Sequence, residues 1–170
     1  HLSIAELESM RDGNLIGMMR SLKQRGNAVG KVLNAHEKTI APQMPDLMKP
    51  MVTLDRQVPT DWVDGNDHMN ESRYMQAMSE ASDWFLLWIG STPDYIANEG
   101  SWFTVENHVR YLAEIRIGER ITVTTQVLEA RGKKLTLFHT IHCNGEVAAT
   151  AEQLLIHVSM KTRRAAEPPA

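Results

Sequence analysis

The spacing of apolar positions changes character along the chain. Up to about residue 40, Ile4, Leu7, Met10, Leu15, Met18 and Leu22 follow a helical stripe that slips near Gly13. Ser3-Ile4-Ala5-Glu6 has the spacing of a capping box, in which Ser and Glu side chains satisfy free amides reciprocally. Gly26 and Gly30 interrupt the stripe, and a shorter helix is predicted around Lys31 to Lys38. Two helices cannot bury a face alone, so this segment is expected to pack on something else. Pro42, Pro45 and Pro50 then read as a linker.

From Met51 the pattern shifts. Val52, Leu54 and Val58 predict a strand ending near Pro59. Tyr74, Met78, Ala81, Phe85 and Trp88 step by four, three, four and three, which is one buried face of a long helix from about Asn70 to Ile89. Gly90 is its stop, and Thr92 to Asn98 predicts a short second helix with Pro93 in its first turn. After that the period is two. Phe103, Val105, Val109 and Tyr111 share a face of one strand; Ile121, Val123 and Val127 alternate in the next; Leu135, Leu137 and Ile141 in a third; Val147 to Ser159 is the last. Arg131-Gly132-Lys133 and Asn144-Gly145 are turns, and Lys161 to Ala170 reads as a frayed tail. The order implies an α+β fold in which a curved antiparallel sheet of about five strands, the last four in a meander, wraps one long central helix.

Composition narrows the function classes. The chain has 170 residues, 42% hydrophobic and 23% charged, enough for one domain and an appendage. A net charge of −3 gives no basic excess for nucleic acid. No run approaches the ~18 apolar residues of a membrane span. Cys143 is the single cysteine, so no internal disulfide forms, and a reducing, cytoplasmic setting is expected. The chain starts with His1 rather than Met, which fits a trimmed tag or an excised piece of a longer chain.

Three aspartates, a histidine and two asparagines crowd into Asp61 to Asn70, just ahead of the long helix. A calcium loop starting at Asp61 would put Val63 and Gly65 at ligand positions; one starting at Asp64 would put Met69 where Gly is required and Met75 where Glu is required. A zinc site needs more His or Cys than His68 offers. No metal or cofactor is therefore expected. Two readings remain. The loop is a solvated turn with Asn70 as helix cap, or Asp64 is a reactive carboxylate beside free helix amides that stabilise charge on a carbonyl. Spacing alone leaves both open.

The stretch from Asp64 to Tyr74, with His68-Met69-Asn70-Glu71-Ser72-Arg73-Tyr74, resembles the D-x-x-G-H-V-N-N-x-x-Y signature of hotdog-fold acyl-CoA thioesterases of the 4-hydroxybenzoyl-CoA thioesterase type. His108 to Ile115 and Gly118-Glu119 resemble the strand and turn that follow the helix in that family, so the likeness covers about Met51 to Arg164. It implies a hotdog fold and cofactor-free hydrolysis of an acyl-CoA. It also implies a homodimer or dimer of dimers with the active site between subunits. By this match Asp64 is the catalytic carboxylate, as nucleophile or general base, with His68 and Asn70 at the family's His and Asn. Tyr74 closes the signature. Asp67 departs from it, standing where the family usually has Gly. Glu80 is a further candidate, since some members use a helix carboxylate; a solvated helix position also explains it. The alternatives are a thioesterase for other acyl-CoA or acyl-carrier-protein substrates and, from another class, a non-catalytic hotdog module that only binds acyl-CoA.

Trp62-Val63-Asp64, His68-Met69-Asn70-Glu71 and Leu154-Leu155-Ile156-His157-Val158 resemble, more finely, the thioesterase part of bifunctional carnitine dehydrogenases. There a 3-hydroxyacyl-CoA-dehydrogenase-like module precedes a betainyl-CoA thioesterase, and Ser3 to Lys38 resembles the closing helices of such a module. The resemblance divides the chain into residues 1–47, the end of that module plus linker; 48–164, the hotdog domain; and 165–170, a tail. No dinucleotide fingerprint is present, because Gly26 to Gly30 does not follow a strand. A betainyl group carries a quaternary ammonium, which aromatic faces bind. Trp62 and Trp102 are the proposed members of an aromatic cage, with Trp88 and Trp84 left to the helix.

Overall fold

The computed structural model describes residues 47–169. The N-terminal helical stripe, its capping box, and Pro42 and Pro45 lie outside the described residues. Five antiparallel strands make one sheet: β1 (Met51–Gln57), β2 (Gly100–Tyr111), β3 (Arg120–Arg131), β4 (Lys134–Cys143) and β5 (Glu146–Ser159), in spatial order β1-β3-β4-β5-β2. The helix α1 (Glu71–Trp88) covers the sheet, preceded by a 3-10 turn (Thr60–Trp62) and followed by the short α2 (Pro93–Asn98). No helix among the described residues is long and apolar enough to cross a membrane.

The period-two pattern produces the covered face directly. Opposed residues of antiparallel strands point the same way. Val123 faces Ile141, which faces Ala149; Thr125 faces His139, which faces Ala151; Val127 faces Leu137, which faces Gln153. All are buried, and α1 lays Tyr74, Ala77, Met78, Ala81, Ser82 and Phe85 against them. One apolar cluster gathers around Trp62, Met69, Tyr74 and Met78 at the start of α1, and a second around Phe85, Leu137 and Leu155 nearer its end. Burying each large side chain contributes about 1.5–3 kcal/mol, so these clusters hold the helix to the sheet.

Local signals account for the ends of elements. The Asn70 Oδ1 accepts from the Ser72 amide at 3.0 Å and starts α1. The helix stops at Gly90, whose φ of +102° suits a residue without Cβ. Thr92 caps α2 by accepting from the Tyr95 amide at 3.2 Å. The Asn144-Gly145 turn has φ of +52° and +84°, the primed geometry that matches strand twist.

Four expectations are corrected. The meander holds only for β3, β4 and β5; β2 pairs with β5 instead of β3 and forms the far edge. Phe103 does not share a face with Val109 and Tyr111. A bulge between Thr104 and Glu106 adds one residue and inverts the alternation, so Trp102 and Thr104 share the inner face with Asn107, Val109 and Tyr111. Trp88 is not buried: it is the last residue of α1, past the second cluster, and 43% exposed with a tilted contact to Phe85. The start of the tail is not frayed. Ser159 N–H donates to Arg164 O at 3.0 Å and Ala166 N–H to His157 O at 3.0 Å, while the His157 Nδ1–H donates to Ala166 O at 3.0 Å.

Candidate active site

The loop ahead of α1 is closed by backbone bonds. Val63 and Met69 form a bridge, and the Asn70 amide donates to Trp62 O at 2.9 Å. The Met69 amide donates to Ile115 O at 2.6 Å, and the Met69 side chain is buried in the first cluster. Inside the loop the Asp64 amide donates to His68 O at 3.2 Å and the Asp67 amide to Asp64 O at 3.1 Å. Asp67 has φ +65°, the left-handed conformation that Gly takes most readily and Asp tolerates better than most. The departure from the family signature thus keeps the same backbone turn.

This turn fixes the Asp64 carboxylate. Its Oδ1 accepts from the Asn66 amide at 2.8 Å and its Oδ2 from the Asn70 Nδ2 at 3.2 Å. The Asn66 amide first, then the Asn70 side chain and more weakly the positive field of His68, hold its carboxyl below the usual carboxylate range. Asn70 serves two masters: its Nδ2–H faces Asp64 while its Oδ1 accepts from the Ser72 amide and the Ser72 hydroxyl, the latter at 2.7 Å. An aspartate there could cap the helix but not donate to Asp64. The Glu71 amide, in the first turn, has no partner among the described residues. The half-buried His68 places Nδ1 3.5 Å from Met69 O. An ionised carboxylate is therefore fixed beside an available helix amide, an arrangement suited to attack on a carbonyl whose oxygen needs a donor.

The other candidates are not all brought here. Tyr74 is buried, its hydroxyl donating to Ala113 O at 3.0 Å. Trp62 is 3% exposed and the Arg56 guanidinium lies 4.2 Å from its ring centroid, so its face is already occupied by a cation of the chain. Trp102 packs on the second cluster, edge-on to His157 with centroids 5.2 Å apart. Trp62 and Trp102 thus belong to different clusters and make no cage within one chain. Glu80 is ten residues past the Asn70 cap, roughly 15 Å along the helix. It accepts from Arg56 Nη1 at 3.0 Å and Gln76 Nε2 at 3.0 Å, so neither solvent nor the Asp64 loop accounts for it. Asp67 is exposed at the loop tip.

Two features escaped the sequence reading. One is Arg56, which faces inward opposite Ile121 and ties β1 to α1 through Glu80. The other is a polar belt under the middle of α1. Thr53 and Thr125 hydroxyls lie 2.7 Å apart, and Thr125 Oγ1 is 2.9 Å from His139 Nδ1. His139 Nε2 lies 3.0 Å from Ser82 Oγ, Ser82 donates to Gln153 Oε1 at 2.5 Å, and Gln153 Nε2 donates to Thr104 Oγ1 at 3.2 Å. Gln153 Oε1 and Met78 O, the other partners of the Ser82 hydroxyl, can only accept, so the Ser82 proton goes to one of them; His139 then carries its proton on Nε2 and accepts from Thr125. Burial presses the His139 pKa down to about 4, so the ring is neutral. His139 lies in the alternation of Leu135, Leu137 and Ile141, and that was the available signal.

A model of the thioesterase-like superfamily matches residues 58–170. The chain is 47% identical over 174 aligned positions to L-carnitine dehydrogenase/betainyl-CoA thioesterase of Ruegeria pomeroyi, covering 99% of this chain and 36% of that protein. It is 34% identical over 119 positions to the betainyl-CoA thioesterase of Pseudomonas aeruginosa, covering 68% of this chain and 75% of that one. Among solved structures, a Staphylococcus aureus protein in complex with CoA superposes with a TM-score of 0.67 at 28% identity, over 72% of this chain and 79% of the other. The chain belongs to the thioesterase-like superfamily and has the hotdog fold. It spans 36% of the length of its bifunctional relative.

Proposed function

We propose that this domain hydrolyses betainyl-CoA to betaine and CoA, with Asp64 as the catalytic carboxylate. The observation that carries the mechanism is the Asp64 carboxylate, held by the Asn66 amide and the Asn70 side chain next to the open Glu71 amide. The substrate is supported by the two relatives whose names include betainyl-CoA thioesterase. Asp64 either adds to the thioester carbonyl itself or takes a proton from a water that adds. In both routes the carbonyl oxygen gains negative charge, the C–S bond breaks, and CoA leaves as thiolate and is protonated; in the direct route a water then opens the acyl–Asp64 anhydride, which releases betaine and restores the carboxylate. The Glu71 amide is the proposed donor to that oxygen. His68 is placed to orient substrate or steady the Asp64 charge.

Two wider features belong to the same reading. The edge strand β2 exposes Thr104 to His108, and an open edge calls for cover; we expect a homodimer joined along β2. We also expect fusion to a dehydrogenase module, as the Ruegeria relative's name, L-carnitine dehydrogenase/betainyl-CoA thioesterase, states for that protein. The test is kcat/KM across a panel of acyl-CoA thioesters with wild type and Asp64→Asn. Betainyl-CoA should head the panel, and Asp64→Asn should abolish turnover while still binding the substrate. Fast hydrolysis of unrelated acyl-CoAs with betainyl-CoA left intact would replace the substrate; unchanged turnover in Asp64→Asn would remove Asp64 from the chemistry. Single turnover in 18O-water is diagnostic in one direction: label in the Asp64 carboxyl requires direct attack, with water opening the anhydride at the Asp64 carbon.

A further inference from the structure

The tryptophans fail to assemble at the loop, but another aromatic residue reaches it. Segment 111–115 leaves β2 and crosses the first turn of α1, tied at three points. Tyr74 Oη donates to Ala113 O at 3.0 Å, the Met69 amide to Ile115 O at 2.6 Å, and Tyr111 Oη to Glu71 O at 3.5 Å. Tyr111 therefore points its hydroxyl at the residue whose amide is the proposed oxyanion donor, next to Asn70, which holds Asp64. Its ring meets Tyr74 at 89° with centroids 5.3 Å apart. Tyr74 is 4% exposed and Tyr111 50%, so the Tyr111 ring is backed by the core on one side and open on the other. Among the described residues, the remaining half-open aromatics stand elsewhere: Trp88 at the far end of α1, and Phe103 on the opposite face of β2 under Arg163.

A betainyl thioester places its quaternary nitrogen two bonds from the carbonyl carbon. Whatever binds that nitrogen must lie immediately beside the carboxylate and the amide that act on the carbonyl. We propose that Tyr111 is the face that receives the quaternary ammonium of the acyl group; the proposal rests on the betainyl-CoA reading and deepens it. The ring quadrupole attracts the cation, and a trimethylammonium, unable to donate a hydrogen bond, needs a π face more than it needs acceptors. The two backbone tethers fix the course of the segment, and the Tyr111 hydroxyl bond with the Tyr74 ring contact sets the direction of its ring.

The neutral isostere 3,3-dimethylbutyryl-CoA has the shape of the substrate without its charge, so it isolates the cation from the contact. Wild type is expected to favour betainyl-CoA in kcat/KM by about threefold to thirtyfold. Tyr111→Leu should remove most of that preference, slowing betainyl-CoA well beyond any loss on the isostere. Tyr111→Phe keeps a ring and should keep the preference. A fluorinated phenylalanine series at position 111 repeats the test at nearly constant shape and fold, with the betainyl-CoA rate falling as fluorine withdraws ring density. A preference retained in Tyr111→Leu, equal losses on both thioesters, or a flat fluorine series would overturn the assignment of Tyr111 alone. A wild type with no preference for the cation would overturn the betainyl reading and this inference with it.

Discussion

Two polar knots sit against the same helix and differ in every respect that matters for function. The one at the start of α1 is made by Asp64, Asn66, Asn70 and Ser72, neighbours in sequence, and it faces water. The one under the middle of α1 draws Thr53, Thr125, His139, Gln153 and Thr104 from five different strands to Ser82, and its central members Ser82, Thr125, His139 and Gln153 are buried. Among the described residues no buried side-chain polar atom lacks a partner. A wet knot can lose a member and let water replace it. A buried knot that loses one leaves the others unsatisfied, at about 1–3 kcal/mol each. The first is free to do chemistry. The second fixes which strands pair and how the helix lies on them.

The sharpest way to test the contrast is to remove one acid from the wet knot. Asp64→Ala should cut turnover by about a hundredfold or more, the scale of losing a catalytic group, while the melting temperature hardly moves. A large drop in melting temperature with turnover retained would reverse the roles of the two regions. The opposite signature is expected from His139→Leu, which removes one buried partner from each of Ser82 and Thr125 and should cost about 2–4 kcal/mol in urea unfolding. The fraction that stays folded should turn over substrate within about twofold of wild type, because His139 lies well down α1 from Asp64. Loss of activity in folded His139→Leu would place the belt in the reaction.

Acid should act on the belt before it acts on the loop. His139 is held at about 4 in the fold by burial, against about 6.5 when unfolded. Its folded pKa is the lower one, so its neutral form contributes fully above about pH 6.5 and the contribution is lost as pH falls toward 4, up to about 3 kcal/mol in all. Asp83 works the other way: desolvation and the neighbouring Glu80 push it up to about 6, so the fold gains from its protonation over the same range. A comparison with His139→Gln removes that opposing contribution, since both proteins carry Asp83. The stability gap between them should be widest near pH 7 and shrink toward pH 4.5. A gap independent of pH would show that His139 is not neutral in the fold.

What could be read from the sequence follows the same division. The start of α1 was legible because its signals are local: Asn70 as cap, the Tyr74-to-Phe85 stripe, the spacing of Asp64, His68 and Asn70. The Asn144-Gly145 turn was legible for the same reason. The place of β2 beside β5 was not, because pairing is decided across the sheet, and nothing in Thr104-Val105-Glu106 marks a bulge. His139 was visible as a histidine on an apolar face, but its partner Ser82 is 57 residues away, and only the folded sheet brings them together. The tryptophan cage rested on composition, which says how many aromatic rings exist and nothing about which ones meet in one chain. Trp62 is spent on Arg56, and Trp102 belongs to the other end of the core.

The smallest expected effect concerns the one position where the loop departs from its family. Asp67 occupies φ +65° with its amide bonded to Asp64 O at 3.1 Å and its side chain in solvent. Glycine relieves the strain of a left-handed L-residue, roughly 1 kcal/mol and less for Asp. Glycine also gives the unfolded chain more freedom, roughly 0.5–1 kcal/mol. The two nearly cancel, so Asp67→Gly should shift stability by less than about 1 kcal/mol in either direction. Its turnover of a neutral acyl-CoA should match wild type, because the turn that holds Asp64 is kept. Asp67→Val tests the other half: a β-branched residue resists this φ, so the loop should open, Asp64 should lose its Asn66 and Asn70 donors, and turnover should fall with stability. Charge at the tip enters only with a cationic substrate, where the Asp67 carboxylate adds attraction screened by solvent and salt. If Asp67→Gly slowed the neutral and cationic thioesters alike by tenfold or more, Asp67 would be a member of the site in its own right. If it slowed only the cationic one, and less so as salt is raised, Asp67 would act through its field and the backbone turn would be its main task.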